Sequence, residues 1–166
     1  APGFLAFATP QVTSVRLLVP LFAAPPRLWA GSRTRAALGR ISITGSSPKA
    51  KRIGFRCPDP SANPYLAFSG LLLAGLDGIK NKIEPPEPVD KDIYELEGAE
   101  KAAIQSVPGS LQEALAALKD DHDYLLEGGV FTKDLIETWI DYKQKREVEP
   151  VALRPHPWEF YLYHDA

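Results

Sequence analysis

Methionine is missing from all 166 residues, and cysteine occurs once, at Cys57. A single thiol excludes an intrachain disulfide framework and a cysteine-rich zinc site, which fits a reducing compartment, with the cytoplasm as the expected setting. The missing Met suggests a chain that is processed, cut from something longer or incompletely stated. No apolar run reaches the ~18 residues of a membrane span, and the opening APGFLAFATP lacks a basic segment followed by a long apolar one. Neither a membrane helix nor a secretion signal is expected, and a membrane is not an expected partner. Asp and Glu are absent from residues 1–56, so the net charge of -2 conceals a basic N-terminal third. Its arginines sit among prolines and aliphatics without a Lys/Arg run or a nucleic-acid motif, so no nucleic-acid partner is expected either.

What is present is a globular composition, 45% apolar and 24% charged, enough for one domain with a core. The expected fold class is α+β, antiparallel strands followed by helices: a loop and strand region with arginines at 1–57, a helical region at 58–149 and a tail at 150–166. Residues 1–31, broken by Pro10, Pro20, Pro25 and Pro26, hold no sustained period and read as loop-rich. Strands are expected within about residues 33–57. There Arg52, Gly54 and Arg56 alternate with Ile53, Phe55 and Cys57, giving one basic face and one apolar face.

A helix over about 64–80 should follow Asn63 as its cap, with Pro64 in the first turn, where a missing N–H costs nothing. Leu66, Leu72, Leu73, Leu76 and Ile79 would form its buried face. EPPEPVD at 84–90 is a proline-rich loop leading to an acidic, exposed-looking stretch around Tyr94. Ser110 and Glu113 make a capping box for a helix over 110–127 that stops at Gly128-Gly129. Thr132 caps a last helix over 133–147, with Leu135, Ile136, Trp139 and Ile140 on one face, ending before Pro150. The tail RPHPWEFYLYHDA is too apolar for a solvated terminus and too short to bury itself, so it calls for a partner surface.

The stretches PKAKRIGFRCPDPSANPYLAFSGLLLAGLDGIKNKIEPPEPVDKDIYEL, GGVFTKDLIETWI and RPHPWEFYLY closely resemble the C-terminal portion of bacterial type I glutamine synthetase. The likeness is tight from about Pro48 onward and looser from Phe4 to Ser47. It implies an ATP-dependent glutamate–ammonia ligase that phosphorylates the glutamate side chain before ammonia displaces phosphate, using ATP and Mg or Mn. It also implies like subunits as partners, since the family forms two stacked six-subunit rings with the C-terminal segment reaching into the opposite ring. Fixed cations suit such chemistry because a transferring phosphoryl group spreads negative charge over its oxygens.

By the same resemblance Arg35 and Arg40 match arginines that contact ATP phosphate or the reacting carboxylate, with Arg35 the catalytic candidate. Lys49 and Arg52 match nucleotide- and phosphate-contacting residues, Arg56 a glutamate-binding arginine, and Tyr94 the tyrosine adenylylated in many bacterial members. From spacing alone the same arginines read equally as solvation of a sheet face, and Tyr94 as a plain surface tyrosine. Three positions depart from the family pattern. Ala23 stands where a glutamate helps bind ammonium, Gly54 where a glutamate ligates metal, and Leu17 where an arginine binds substrate. Neither a methyl group nor a hydrogen can coordinate Mg²⁺ or Mn²⁺.

The family's remaining metal ligands have no counterpart in this sequence. His122, His156 and His164 lack metal-ligand spacing, so no metal residue is assigned and no cofactor is expected to bind the chain tightly on its own. Trp139 and Trp158 read as core and interface residues. Three readings stay open: part of a longer ligase, inactive by itself; a degenerate non-catalytic homologue serving as an assembly or anion-binding module; or a sequence partly mis-stated in residues 1–56, where the departures cluster.

Overall fold

The computed structural model describes residues 2–16, 30–31, 39–41, 53–84 and 107–165. Its N-terminal residues correct the loop-rich expectation. A 3-10 turn at Pro2–Phe4 runs into α1, Leu5–Ala8, and after Pro10 into α2, Val12–Arg16. Phe4, Leu5, Ala6, Phe7 and Ala8 are at most 4% exposed and lie at the centre of the core. A helical stretch buried on every side has no polar face, which is why no period showed in its sequence. The turn comes so close to a later helix that a Cβ on Gly3 would lie 2.5 Å from the Leu118 Cα. Only glycine fits there.

Three short strands follow: β1, Ala30–Gly31, β2, Gly39–Ile41, and β3, Ile53–Phe55, in the order β1-β2-β3. β2 and β3 run antiparallel, whereas β1 runs parallel to β2, so the sheet is mixed. The apolar face expected around β3 is only partly realised. Cys57 is buried and the Phe55 ring packs 5.7 Å from Phe4, but Ile53 is 77% exposed.

α3, Pro64–Lys80, begins as its sequence dictates, with the Asn63 side chain accepting from Tyr65 N–H at 3.0 Å and Pro64 in the first turn. It ends in a Schellman turn: Ile83 N–H donates to Gly78 C=O at 2.9 Å, Lys82 N–H to Ile79 C=O at 3.3 Å, and Lys82 is left-handed at φ 51. Of the side expected from the leucines, only Leu66 and Leu73 meet the core. Ala67, Gly70 and Leu73 face the core, while Leu72, Leu76 and Ile79 are exposed. The reason is steric. α3 lies against the Phe4 ring, 3.0 Å from where a Cβ on Gly70 would sit, and only small residues admit that approach.

α4, Leu111–Asp120, is capped by Ser110 Oγ, which accepts from Glu113 N–H at 3.1 Å; the Glu113 carboxylate accepts in turn from Gly109 N–H at 2.8 Å. The helix expected over 110–127 breaks after Asp120. Asp121 is extended, and His122 Nδ1 lies 3.0 and 3.1 Å from the Leu118 and Lys119 carbonyls, closing the helix end. A 3-10 segment at Asp123–Gly129 then buries Tyr124 and Leu125 and stops at Gly128 and Gly129, both left-handed.

Thr132 Oγ1 caps α5, Lys133–Lys143, by accepting from Leu135 N–H at 3.2 Å. Leu135 is exposed, leaving Ile136, Trp139 and Ile140 as the packed face. The helical path does not end before Pro150, as the proline suggested. It continues through a π turn, Gln144–Val148, into α6, Glu149–Ala152, where Pro150 occupies a first-turn position. α7, Pro157–Leu162, is capped by His156 Nδ1, which accepts from Trp158 N–H at 3.1 Å, and it is exposed throughout.

α5 is locked to the N-terminal segment. Trp139 Nε1–H donates to the Ala6 carbonyl at 3.2 Å, and the Phe7 ring centroid lies 5.6 Å from Trp139 and 5.4 Å from Phe131. Lys143, only 6% exposed, sets its ammonium 4.9 Å above the Trp139 ring and pairs with Glu147.

Candidate phosphate and substrate site

The arginine-bearing stretch meets the described fold at the β2–β3 ladder. Its register sets Arg40 directly across from Gly54, with Gly39 facing Phe55 and Ile41 facing Ile53. A carboxylate-bearing residue at position 54 would stand opposite Arg40; glycine offers no side-chain oxygen there. Arg56 follows β3 directly, is exposed, and makes contacts within the fold. Arg35, Lys49, Arg52 and Tyr94 lie outside the described residues, as do Leu17 and Ala23, and of Arg40 only the backbone is described.

Below the ladder the structure supplies a support that sequence reasoning missed. Asp59 N–H donates to the Ala8 carbonyl at 2.8 Å, and its side chain accepts from Ser61 N–H at 2.6 Å, tying the turn after β3 to α1. Burial works to raise the Asp59 pKa, but the hydrogen bonds outweigh it and hold the carboxyl below its usual 3.8. Cys57, beside this turn, is pushed up to about 12 by burial, so its thiol stays protonated and unreactive in the folded chain. The signal that could have found the support was the charge-free run GFLAFA, which reads as core once burial on all sides is allowed.

The histidines serve local structure: His122 closes α4, His156 caps α7, and His164 pairs with Asp165 at 2.9 Å. Among the described residues no group of three His, Cys, Asp or Glu side chains comes together to hold a metal ion, and no helix is long and apolar enough to cross a membrane.

The sequence pattern described as "Glutamine synthetase, catalytic domain" matches residues 1–163. The chain belongs to the glutamine synthetase family. It is 62% identical over 165 residues to a glutamine synthetase of Streptomyces filamentosus, covering 99% of this chain and 35% of that protein. To the glutamine synthetase of Mycolicibacterium smegmatis it is 58% identical over 166 residues, covering 100% of this chain and again 35% of the relative. A Plasmodium falciparum glutamine synthetase determined by electron cryomicroscopy superposes with a TM-score of 0.81 at 25% identity, over 98% of this chain and 39% of that one. The chain thus spans about a third of the length of these relatives and corresponds to the C-terminal part of the bacterial catalytic domain.

Proposed function

We propose that this chain is the C-terminal share of an ATP-dependent glutamate–ammonia ligase, cytoplasmic and assembled with like subunits, and that it has no ligase activity by itself. The observation that carries the reading is the family match over residues 1–163, joined to identities near 60% along the whole chain. In this reading Arg35, Arg40, Lys49 and Arg52 hold ATP phosphates, Arg35 neutralises charge on the transferring phosphoryl group, and Arg56 binds the glutamate carboxylate. Arginine suits these tasks because it stays ionised and offers a planar pair of donors. Tyr94 would be the modified tyrosine.

The described residues do not fit a resident metal ion. Gly54 carries no donor, and the three histidines are engaged elsewhere. Divalent metal would therefore be held by residues of the longer proteins that have no match here, and no step is assigned to it. The exposed tail supports assembly. In α7 Trp158, Phe160, Tyr161 and Leu162 are 55–71% exposed, with Trp158 stacked on Tyr161 at 4.8 Å. A patch of that kind is costly to leave in water.

One observation favours a second reading, an anion-binding module without catalysis: the ladder sets Arg40 against Gly54, where the resemblance implies a carboxylate. ATP- and glutamate-dependent glutamine formation by the purified 166-residue chain is expected to stay at the no-protein blank. Turnover above that blank refutes the inactivity. Calorimetry with pyrophosphate tests the module reading: binding that weakens from low to moderate salt supports it, and no heat at low salt removes it.

A further inference from the structure

α1 is only four residues long, so the carbonyls of its last turn cannot be satisfied within the helix. Buried carbonyls need partners all the same. Thr9 gives both its N–H and its hydroxyl to the Leu5 carbonyl, each at 2.8 Å. Two further partners come from far along the chain. Trp139 Nε1–H of α5 donates to the Ala6 carbonyl at 3.2 Å, and Asp59 N–H donates to the Ala8 carbonyl at 2.8 Å. Ala6 and Ala8 are fully buried, so α1 is a fixed bracket, fastened both to α5 and to the exit of β3.

That exit carries Arg56, and the residues on either side of it are anchored. The Phe55 ring packs 5.7 Å from Phe4, next to α1, and Cys57 is buried. Alternation then directs the side chain between them outward, and Arg56 is exposed. Asp59 ends this segment with three hydrogen bonds. Its N–H is held by Ala8, its carboxylate accepts from Ser61 N–H at 2.6 Å, and its carbonyl accepts from Ala62 N–H at 2.9 Å. The second bond is an Asx turn, a geometry that suits aspartate and asparagine and not the longer glutamate. We propose that Asp59 is a positioning residue: its Asx turn, hung from the buried Ala8 carbonyl, fixes the direction in which Arg56 projects, and so sets affinity for the substrate carboxylate without affecting the nucleotide. The proposal rests on reading Arg56 as the glutamate-binding arginine.

Three variants separate turn from charge. Asp59→Asn keeps the turn acceptor without the charge, Asp59→Glu keeps the charge on a side chain one methylene too long for the turn, and Asp59→Ala loses both. In the 166-residue chain the backbone ¹⁵N order parameter of Arg56 is expected near about 0.85 in the original and in Asp59→Asn, and to fall toward about 0.6 in Asp59→Glu and Asp59→Ala, with the amides of α4 unchanged. In the Streptomyces filamentosus relative, Glu or Ala at the position matching Asp59 is expected to raise KM for glutamate about tenfold while KM for ATP stays within about twofold, and Asn there restores the value. Should the alanine variant fail to fold, the Asn and Glu variants carry the same contrast. An Arg56 amide that stays rigid in Asp59→Glu overturns the positioning role, and so does one that loosens in Asp59→Asn, because charge would then be the agent. An equal rise in both KM values overturns it as well, being the sign of general damage. A loosened Arg56 in the chain with an unmoved KM for glutamate in the relative instead refutes Arg56 as the glutamate-binding arginine and leaves its anchoring by Asp59 standing.

Discussion

Phe7→Ala should cost the chain about 4 kcal/mol. The ring is 1% exposed and sits between Phe131 and Trp139, with centroids 5.4 and 5.6 Å away. Large-to-small replacement of a buried phenylalanine removes about 3–5 kcal/mol through lost transfer energy and the cavity left behind. Two facing aromatic rings, each pair worth about 0.5–1.5 kcal/mol, push this site to the upper half of that range. Its surroundings cannot collapse easily, because Trp139 is held to the Ala6 carbonyl and Lys143 is packed over the indole. For a chain of this size each kcal/mol lowers Tm by about 2–4 °C, so a fall of about 8–16 °C is expected. Urea unfolding followed by circular dichroism measures it, with Phe7→Leu as the milder comparison at under about 1.5 kcal/mol. A loss below about 1 kcal/mol for the alanine variant would mean that residues 4–8 are not part of the core.

Lys82→Gly should stabilise the chain by about 0.5–1 kcal/mol in the same assay, because Lys82 holds the left-handed position of the Schellman turn, where a Cβ is penalised. A destabilised variant would contradict that geometry. The Cys57 thiol gives a pH dependence with a definite sign. Its folded pKa is raised from 9.0 to about 12, so below about pH 9 both states hold the proton and the contribution is fully present. Between pH 9 and about 12 the unfolded chain releases the proton and the folded chain keeps it, so stability falls by at most about 1.4 kcal/mol per pH unit. Comparing urea unfolding at pH 8 and 10.5 with Cys57→Ala isolates this slope, and a variant whose slope equals that of the original chain would remove the thiol as its source.

The helix caps were legible because each is a local event. Asn63, Ser110 and Thr132 need only the next two or three residues to bond their backbone N–H groups, and all three do so. The chain's continuation past Pro150 was not legible. A proline marks a boundary only when the preceding turn is α-helical, and the π turn at Gln144–Val148 resets the spacing so that Pro150 falls in a new first turn. The break of α4 after Asp120 was hidden for a similar reason. It depends on a histidine ring turning back onto two carbonyls, a contact with no periodic signature. At the candidate site, alternation through residues 52–57 marked the strand, and the ladder adds that Arg40 stands opposite Gly54.

By itself the sequence determined family membership and the positions where α3, α4 and α5 begin, since these are properties of residue identity and near neighbours. The tertiary structure decided which apolar residues are core. It placed GFLAFA at the centre and left the outer leucines of α3 in water, because burial depends on what lies across from a residue: Phe4 over Gly70, Leu118 against Gly3. Hydrophobicity marks a residue as able to be buried, and only the packing of distant segments selects which of those able residues meets the core.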